Sequence, residues 1–259
     1  MKLERIDRLT HLSLKSGLFP YQLDVSVFLA DGLLIDAGSG NTEKKIAQWL
    51  KNEKLSGLAI THVHEDHTGA AWWVQRHFAV PVYIHKKSIA EANLPSDVPL
   101  YRRLVWGNRK AFHPDPISDF IETENYRFDI YDAPGHHPYH IVLQEKNMGW
   151  IFTGDLYVGR KQFVAFKDEN ISDAIDSLKK ILQLDFDTVF CSHSGIQKNG
   201  KEKIKAKLQF FEDIRGQVVN LRRKGLAPEE IAKIVFPNWN LWTVVSKGEW
   251  SALNIINTI

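Results

Sequence analysis

From Gln22 to Ala30 apolar side chains recur at every second position, with Leu23, Val25, Val27 and Leu29 on one side of the segment. A period of two marks a half-buried strand. The Asp31-Gly32 turn signal and the run Leu33-Leu34-Ile35 follow, so the two segments are expected to pair as a hairpin. The period then lengthens: residues 41–52 carry Ile46, Trp49 and Leu50 at helical spacing, and residues 57–61 read as a buried strand. A helix over 70–78, a strand over 81–85 and a short helix over 86–92 continue the alternation. Pro95, Pro99, Pro114 and Pro116 then break it, and residues 86–122 are read as an irregular insertion over one edge of the fold.

Strands are expected again at 126–132, 140–144 and 149–153. A helix over 171–184 places Ile171, Ala174, Ile175, Leu178, Ile181 and Leu182 on one face, and a buried strand follows at 186–191. Helical patterns at 201–224, 228–235 and 247–256 complete the chain. The organisation is an α/β body over 1–199 and a C-terminal helical extension over 200–259. There is no internal repeat.

Composition narrows the chemistry. The 259 residues carry a formal charge of +2, which announces neither a nucleic-acid binder nor a cation store. With Cys191 alone, an intramolecular disulfide and a thiolate metal cluster are both excluded, so any metal must be held by His and carboxylate. The N-terminus shows no apolar leader pattern, and no apolar run approaches eighteen residues, so a cytoplasmic protein without a membrane span is expected.

Five of the apolar runs end in polar clusters: Asp36, the stretch "THVHEDHTG" at 61–69, "APGHH" at 133–137, "TGD" at 153–155 and "SHSG" at 192–195. In open α/β sheets, sites assemble at the carboxyl ends of strands, so these side chains are expected to converge. Burying several imidazoles and carboxylates together without a cation would cost several kcal/mol per uncompensated charge. Neutral imidazole combined with carboxylate describes a first-row metal site.

The pattern His62-x-His64-x-Asp66-His67, followed by Pro134-Gly135-His136, Gly154-Asp155 and His193 with Asp36 upstream, resembles the metallo-β-lactamase superfamily of metal-dependent hydrolases over roughly residues 20 to 197. The resemblance implies a four-layer αβ/βα sandwich holding two divalent ions. Zinc is the default, and iron or manganese also suits such ligands. By motif, His62, His64 and His136 hold one ion, Asp66, His67 and His193 hold the second, and Asp155 bridges them. The implied activity is attack by a metal-bridging hydroxide on a small carbonyl ester of the thioester or lactone class, with Asp66 also acting as the catalytic group that orients it.

Asp36 and His140 are expected to support the ligands from behind. Tyr157 is a candidate donor to an oxyanion or a core residue, and His137 is either pocket lining or surface. Trp106, Trp239, Trp242 and Trp250 either line a pocket mouth or fill the seam between insertion, extension and core, and the seam is the favoured reading. His11, His77, His85 and His113 are read as structural. The partner is a small-molecule substrate. Residues 201–225 hold eight Lys/Arg against three Asp/Glu, which is read as solvated surface; the alternative it leaves open is a phosphodiesterase or ribonuclease of the same superfamily. A flavodiiron-type redox protein lacks its flavin module here, and a non-catalytic binding protein would be expected to have lost ligands.

Overall fold

Two β-sheets lie face to face with helices on both outer surfaces in the computed structural model, which describes residues 1–18, 22–238 and 241–259. The first sheet runs in chain order through β1 (Lys2–Ile6), β2 (Leu9–Ser16), β3 (Leu23–Ala30), β4 (Leu33–Ile35), β5 (Gly57–Ala59), β6 (Val82–Ile84) and β7 (Asp115–Pro116). It is antiparallel as far as β4 and parallel from there on. The expected hairpin is β3–β4, turning through Asp31 and Gly32, both at positive φ. Helices α1 (Glu43–Leu50) and α2 (Ala71–His77) cover the outer face of this sheet, and α3 (Ile89–Ala92) and α4 (Leu100–Trp106) follow in the proline-punctuated stretch.

The second sheet contains β8 (Phe120–Glu122), β9 (Arg127–Asp132), β10 (Ile141–Glu145) and β11 (Trp150–Gly154). A short strand, β12 (Ala165–Phe166), lies outside it; then come α5 (Ile171–Ile181), β13 (Thr188–Cys191) and β14 (Gly195–Gln197), giving the order β14-β13-β11-β10-β9-β8. The C-terminal segment supplies α6 (Gly200–Arg223), α7 (Pro228–Val235), α8 (Leu241–Val245), β15 (Trp250–Ser251) and α9 (Ala252–Asn257), with β15 pairing β12.

Three apolar layers hold these elements together. Between the sheets, Phe28, Leu33 and Ile35 meet Phe128, Leu143, Phe152 and Phe190. Outside the first sheet, Leu34, Leu58 and Val82 receive Ile46, Leu50 and Val74. Outside the second, the face of α5 expected from its spacing is buried with Val142, Ile151 and Val189, and Ile204, Phe211, Ile214 and Ile255 from the C-terminal helices join the same cluster. This is the αβ/βα sandwich expected above.

Four differences from the sequence reading have local causes. β1 and β2 extend the first sheet although Lys2, Glu4 and Arg5 make β1 a charged edge, which conceals it. Residues 115–116 and 120–122 belong to the two sheets as β7 and β8, so the irregular excursion centres on α4. The helix expected at 247–256 begins only at Ala252, because Lys247 and Gly248 take positive φ and the chain then pairs as β15. The turn at Gly195 returns the chain from β13 as β14, a strand too short to show a period.

Candidate metal centre

The loop after β5 is fixed by three contacts that need its sequence. The Ala37 and Ala70 amides and the Gly69 amide tie the loop to the turn after β4, with the Ala37 N–H donating to the His67 carbonyl at 2.6 Å and Gly69 N–H to the Gly38 carbonyl at 2.6 Å. A Cβ at Gly69 would stand 2.0 Å from the Ser39 carbonyl carbon, so only glycine permits that approach. Asp36, itself at φ 57°, accepts from the Thr61 N–H at 2.8 Å through Oδ1, and its Oδ2 lies 2.7 Å from His67 Nδ1 and 3.0 Å from the Ser192 hydroxyl. One carboxylate thus ties the ends of β4, β5 and β13 together.

Seven of the expected ligands meet at the carboxyl ends of these strands. His62, His64 and His136 place donor atoms within 4.8 Å of one another, and so do Asp66, His67, Asp155 and His193. Asp155 lies between the two groups: its Oδ2 is 3.5 Å from His136 Nε2 and 3.1 Å from His193 Nε2, and its Oδ1 is 3.4 Å from His67 Nε2. Gly154, at φ 47° and with His140 and Thr61 where its Cβ would be, turns Asp155 into this position. His140 Nε2 accepts from the Asp155 amide at 3.2 Å, which places His140 directly behind Asp155.

Each imidazole is oriented from behind. His193 Nδ1 donates to the Asp24 carbonyl at 2.6 Å, leaving Nε2 toward Asp66 and Asp155. His64 turns Nδ1 toward His136 and Nε2 toward Asp168 at 3.3 Å, and His136 Nδ1 lies 3.4 Å from Glu169. Carboxylates in these positions fix tautomers and raise ligand basicity. Asp168 and Glu169 were not singled out from the sequence; two adjacent acids just before α5 were the available signal.

The donor set fits metal ions. His62 Nε2, His67 Nε2 and Asp155 Oδ1 are buried with no hydrogen-bond partner among the described residues. Orphaned buried donors and acceptors are rare and call for an unseen partner, which a cation supplies here. The electrostatics agree. Burial pushes His62 well below the ordinary histidine range, aided by its imidazole neighbours, so it stands neutral, the form that can bind a cation. Burial would also depress His67 and His193, but Asp36, Asp155 and Asp66 hold them well above it, and these two imidazoles in turn keep Asp155 well below the carboxylate range against burial. Carboxylates and imidazoles share protons here as they would share a cation.

The centre forms the floor of a cavity of about 420 Å³. His64, Asp66, His136, Asp155 and His193 reach it, and Val105, Trp106, Val158, Phe166, Trp242 and Trp250 are among its walls. Trp106, Trp242 and Trp250 therefore line the pocket, which corrects their reading as seam fillers; Trp239 lies outside the described residues. Trp250 stacks on Phe166 through the β12–β15 pair, so the C-terminal segment builds one wall. Tyr157 packs in the core beside Cys191 and does not reach the cavity, so of its two readings the structure places it in the core. His137 is buried behind His64, with burial pushing it down to about 3. It lies beside the centre, away from the cavity wall.

Comparison with known proteins agrees with this geometry. The profile described as the metallo-beta-lactamase superfamily matches residues 23–193. The chain belongs to that superfamily. Among curated relatives, the hydroxyacylglutathione hydrolase GloC of Haemophilus influenzae is 30% identical over 182 residues, covering 66% of this chain and 83% of its own. The probable metallo-hydrolase YqgX of Bacillus subtilis is 26% identical over 185 residues, covering 68% and 86%. Of solved structures, a metallo-beta-lactamase from Pontibacter korlensis superposes with a TM-score of 0.63 at 16% identity, over 82% of this chain and 98% of that one. The metallo-β-lactamase fold and a metal-dependent hydrolase are thereby established, and no described helix is long and apolar enough to cross a membrane.

Proposed function

We propose that the protein hydrolyses a small acyl thioester, with a lactone as the related ester of the same reactivity. The observation that carries this reading is the position of Asp155 between two donor groups at the floor of an apolar-walled cavity. In this reading His62, His64 and His136 hold one divalent ion, Asp66, His67 and His193 hold another, and Asp155 serves both; the ions are zinc in the first instance, with iron or manganese as alternatives. Bound there, they supply Lewis acidity and lower the pKa of water toward neutrality.

The chain's own residues do the rest. Asp66 faces the cavity as an unprotonated carboxylate, because His67 and His193 outweigh its burial, and it orients the attacking water and receives its proton at Oδ. The Asp24 carbonyl holds the His193 proton at Nδ1, so Nε2 remains a ligand. Aromatic walls exclude bulk water and fit an acyl group. The similarity to hydroxyacylglutathione hydrolases supports a thioester, and the apolar walls favour it over a phosphodiester backbone, which is bound through phosphate contacts.

The test is elemental analysis of protein purified without added metal, followed by turnover of an acyl thioester, a lactone and a phosphodiester before and after chelation. Thioester turnover that is lost on chelation and regained with metal is expected. Turnover of the phosphodiester alone would replace this reading with the nuclease one.

A further inference from the structure

Lys207 is one of the eight basic residues of the segment read as solvated surface, yet it is 2% exposed and lines the cavity above the metal centre. Lysine is almost never buried without a counter-ion. Among the described residues Lys207 makes no ion pair within 4.0 Å; its Nζ has one hydrogen bond, to Gln162 Oε1 at 3.1 Å, and stands 4.8 Å from the Phe211 ring centroid. Gln162 also lines the cavity, and its amide donates to Glu169 Oε2 at 2.8 Å. Glu169 is itself fully engaged, accepting from the Phe166 N–H at 2.8 Å through Oε1 and facing His136 through Oε2.

Both Glu169 oxygens are thus engaged within the protein, and among the described residues an ammonium with three protons has one hydrogen-bond acceptor. The other cations on the cavity differ. Arg102 is neutralised by two 2.7 Å bonds to Glu65, and Lys161 is exposed, where water solvates it. Lys207 is the buried cation left with donors to offer, in a pocket whose other walls are largely apolar.

We propose that Lys207, held by Gln162, sets substrate selectivity by receiving a carboxylate that the substrate carries away from its scissile carbonyl, on either its acyl group or its thiol. The inference rests on the hydrolase reading of the same cavity. A buried donor built to meet an anion rejects the analogue that lacks it far more strongly than an apolar wall rejects a methylene. Selectivity would then arise from the C-terminal helix α6, outside the residues that hold the metals.

Two substrate pairs separate the two positions of the carboxylate: butyryl against succinyl thioesters of one neutral thiol, and butyryl thioesters of 3-mercaptopropionate against those of its amide. The expected result is that in one pair the carboxylate-bearing member is preferred by about 10- to 100-fold in kcat/KM. Lys207→Met should abolish that preference through KM with metal content unchanged, and Lys207→Arg should keep part of it. An equal fall for both members of each pair, or no preference in either, overturns the proposal. If no thioester is turned over, the thioester reading fails, and binding still decides the inference: tryptophan fluorescence of the metal-loaded protein should show glutarate binding more tightly than butyrate, a difference lost in Lys207→Met. The same difference in both proteins overturns it.

Discussion

Arg102 grips Glu65 with two hydrogen bonds of 2.7 Å, Nε donating to Oε1 and Nη2 to Oε2. Glu65 lies between His64 and Asp66 of the two donor groups, whereas Arg102 belongs to α4, so the pair anchors the loop after β5 to the excursion above it. The guanidinium also lies over the Phe166 ring at 4.7 Å and 3.7 Å from Glu249. The metal loop, α4, β12 and the C-terminal segment thus meet at one side chain.

Removing one partner leaves the other charge buried, so Arg102→Met should cost about 3–5 kcal/mol, and Arg102→Lys should not restore what a bidentate fork supplies. Pairing the change with Glu65→Gln should recover most of the loss, since neither variant then buries a bare charge. Denaturant midpoints of the two single variants and the double variant measure this directly. Additive losses would show that the two residues act independently.

Asp155→Ala should lower bound metal from about two ions per chain toward one, because the shared ligand is lost from both donor groups. Elemental analysis of the purified variant is the measurement, and two undiminished ions would remove Asp155 from its bridging role. His137→Ala should leave the metal content unchanged, since His137 stands behind His64 and away from the cavity.

Asp168→Asn and Glu169→Gln should each weaken metal binding by about 10- to 100-fold, with the fold intact. Each acid faces a ring nitrogen of a proposed ligand, His64 Nε2 at 3.3 Å and His136 Nδ1 at 3.4 Å. Competition with a chelator of known affinity gives the size of the effect. Glu169→Gln bears on two functions, because Gln162 also leans on that carboxylate, so its selectivity for the carboxylate-bearing substrate should fall together with its metal affinity.

The ligand motif was readable because its chemistry is local: residues two apart in an extended loop point the same way, and acids and imidazoles concentrated after apolar strands have few other uses. The alternation of strands and helices was readable because α5 and β3 carry clean periods, whereas the sandwich itself was implied by the family resemblance. What escaped was set by tertiary contact. Asp168, Glu169 and Arg102 are ordinary charged residues in aperiodic stretches, and only folding places them against His64, His136 and Glu65. Lys207 sits in a run of alternating lysines on α6 that reads as solvent-facing throughout, and one turn of that helix happens to meet the cavity.

Lys207 should also leave a mark on stability. Burial pushes its ammonium down to about 8 from 10.5 in the unfolded chain, with Glu169, Cys191 and Asp155 opposing the shift. Below pH 8 both states carry the charge and the folded state bears the whole cost of burying it, about 3 kcal/mol by linkage. Between pH 8 and 10.5 the folded chain releases the proton that the unfolded chain keeps, so this cost falls as pH rises. Lys207→Met should therefore be more stable than the parent at pH 7, and the difference should shrink toward pH 10. Urea midpoints of both proteins across that range are the measurement. A gain in stability at pH 7 accompanied by loss of carboxylate selectivity would mark the lysine as kept for its ligand, whereas a loss of stability would mean that Gln162 and Phe211 already compensate the charge.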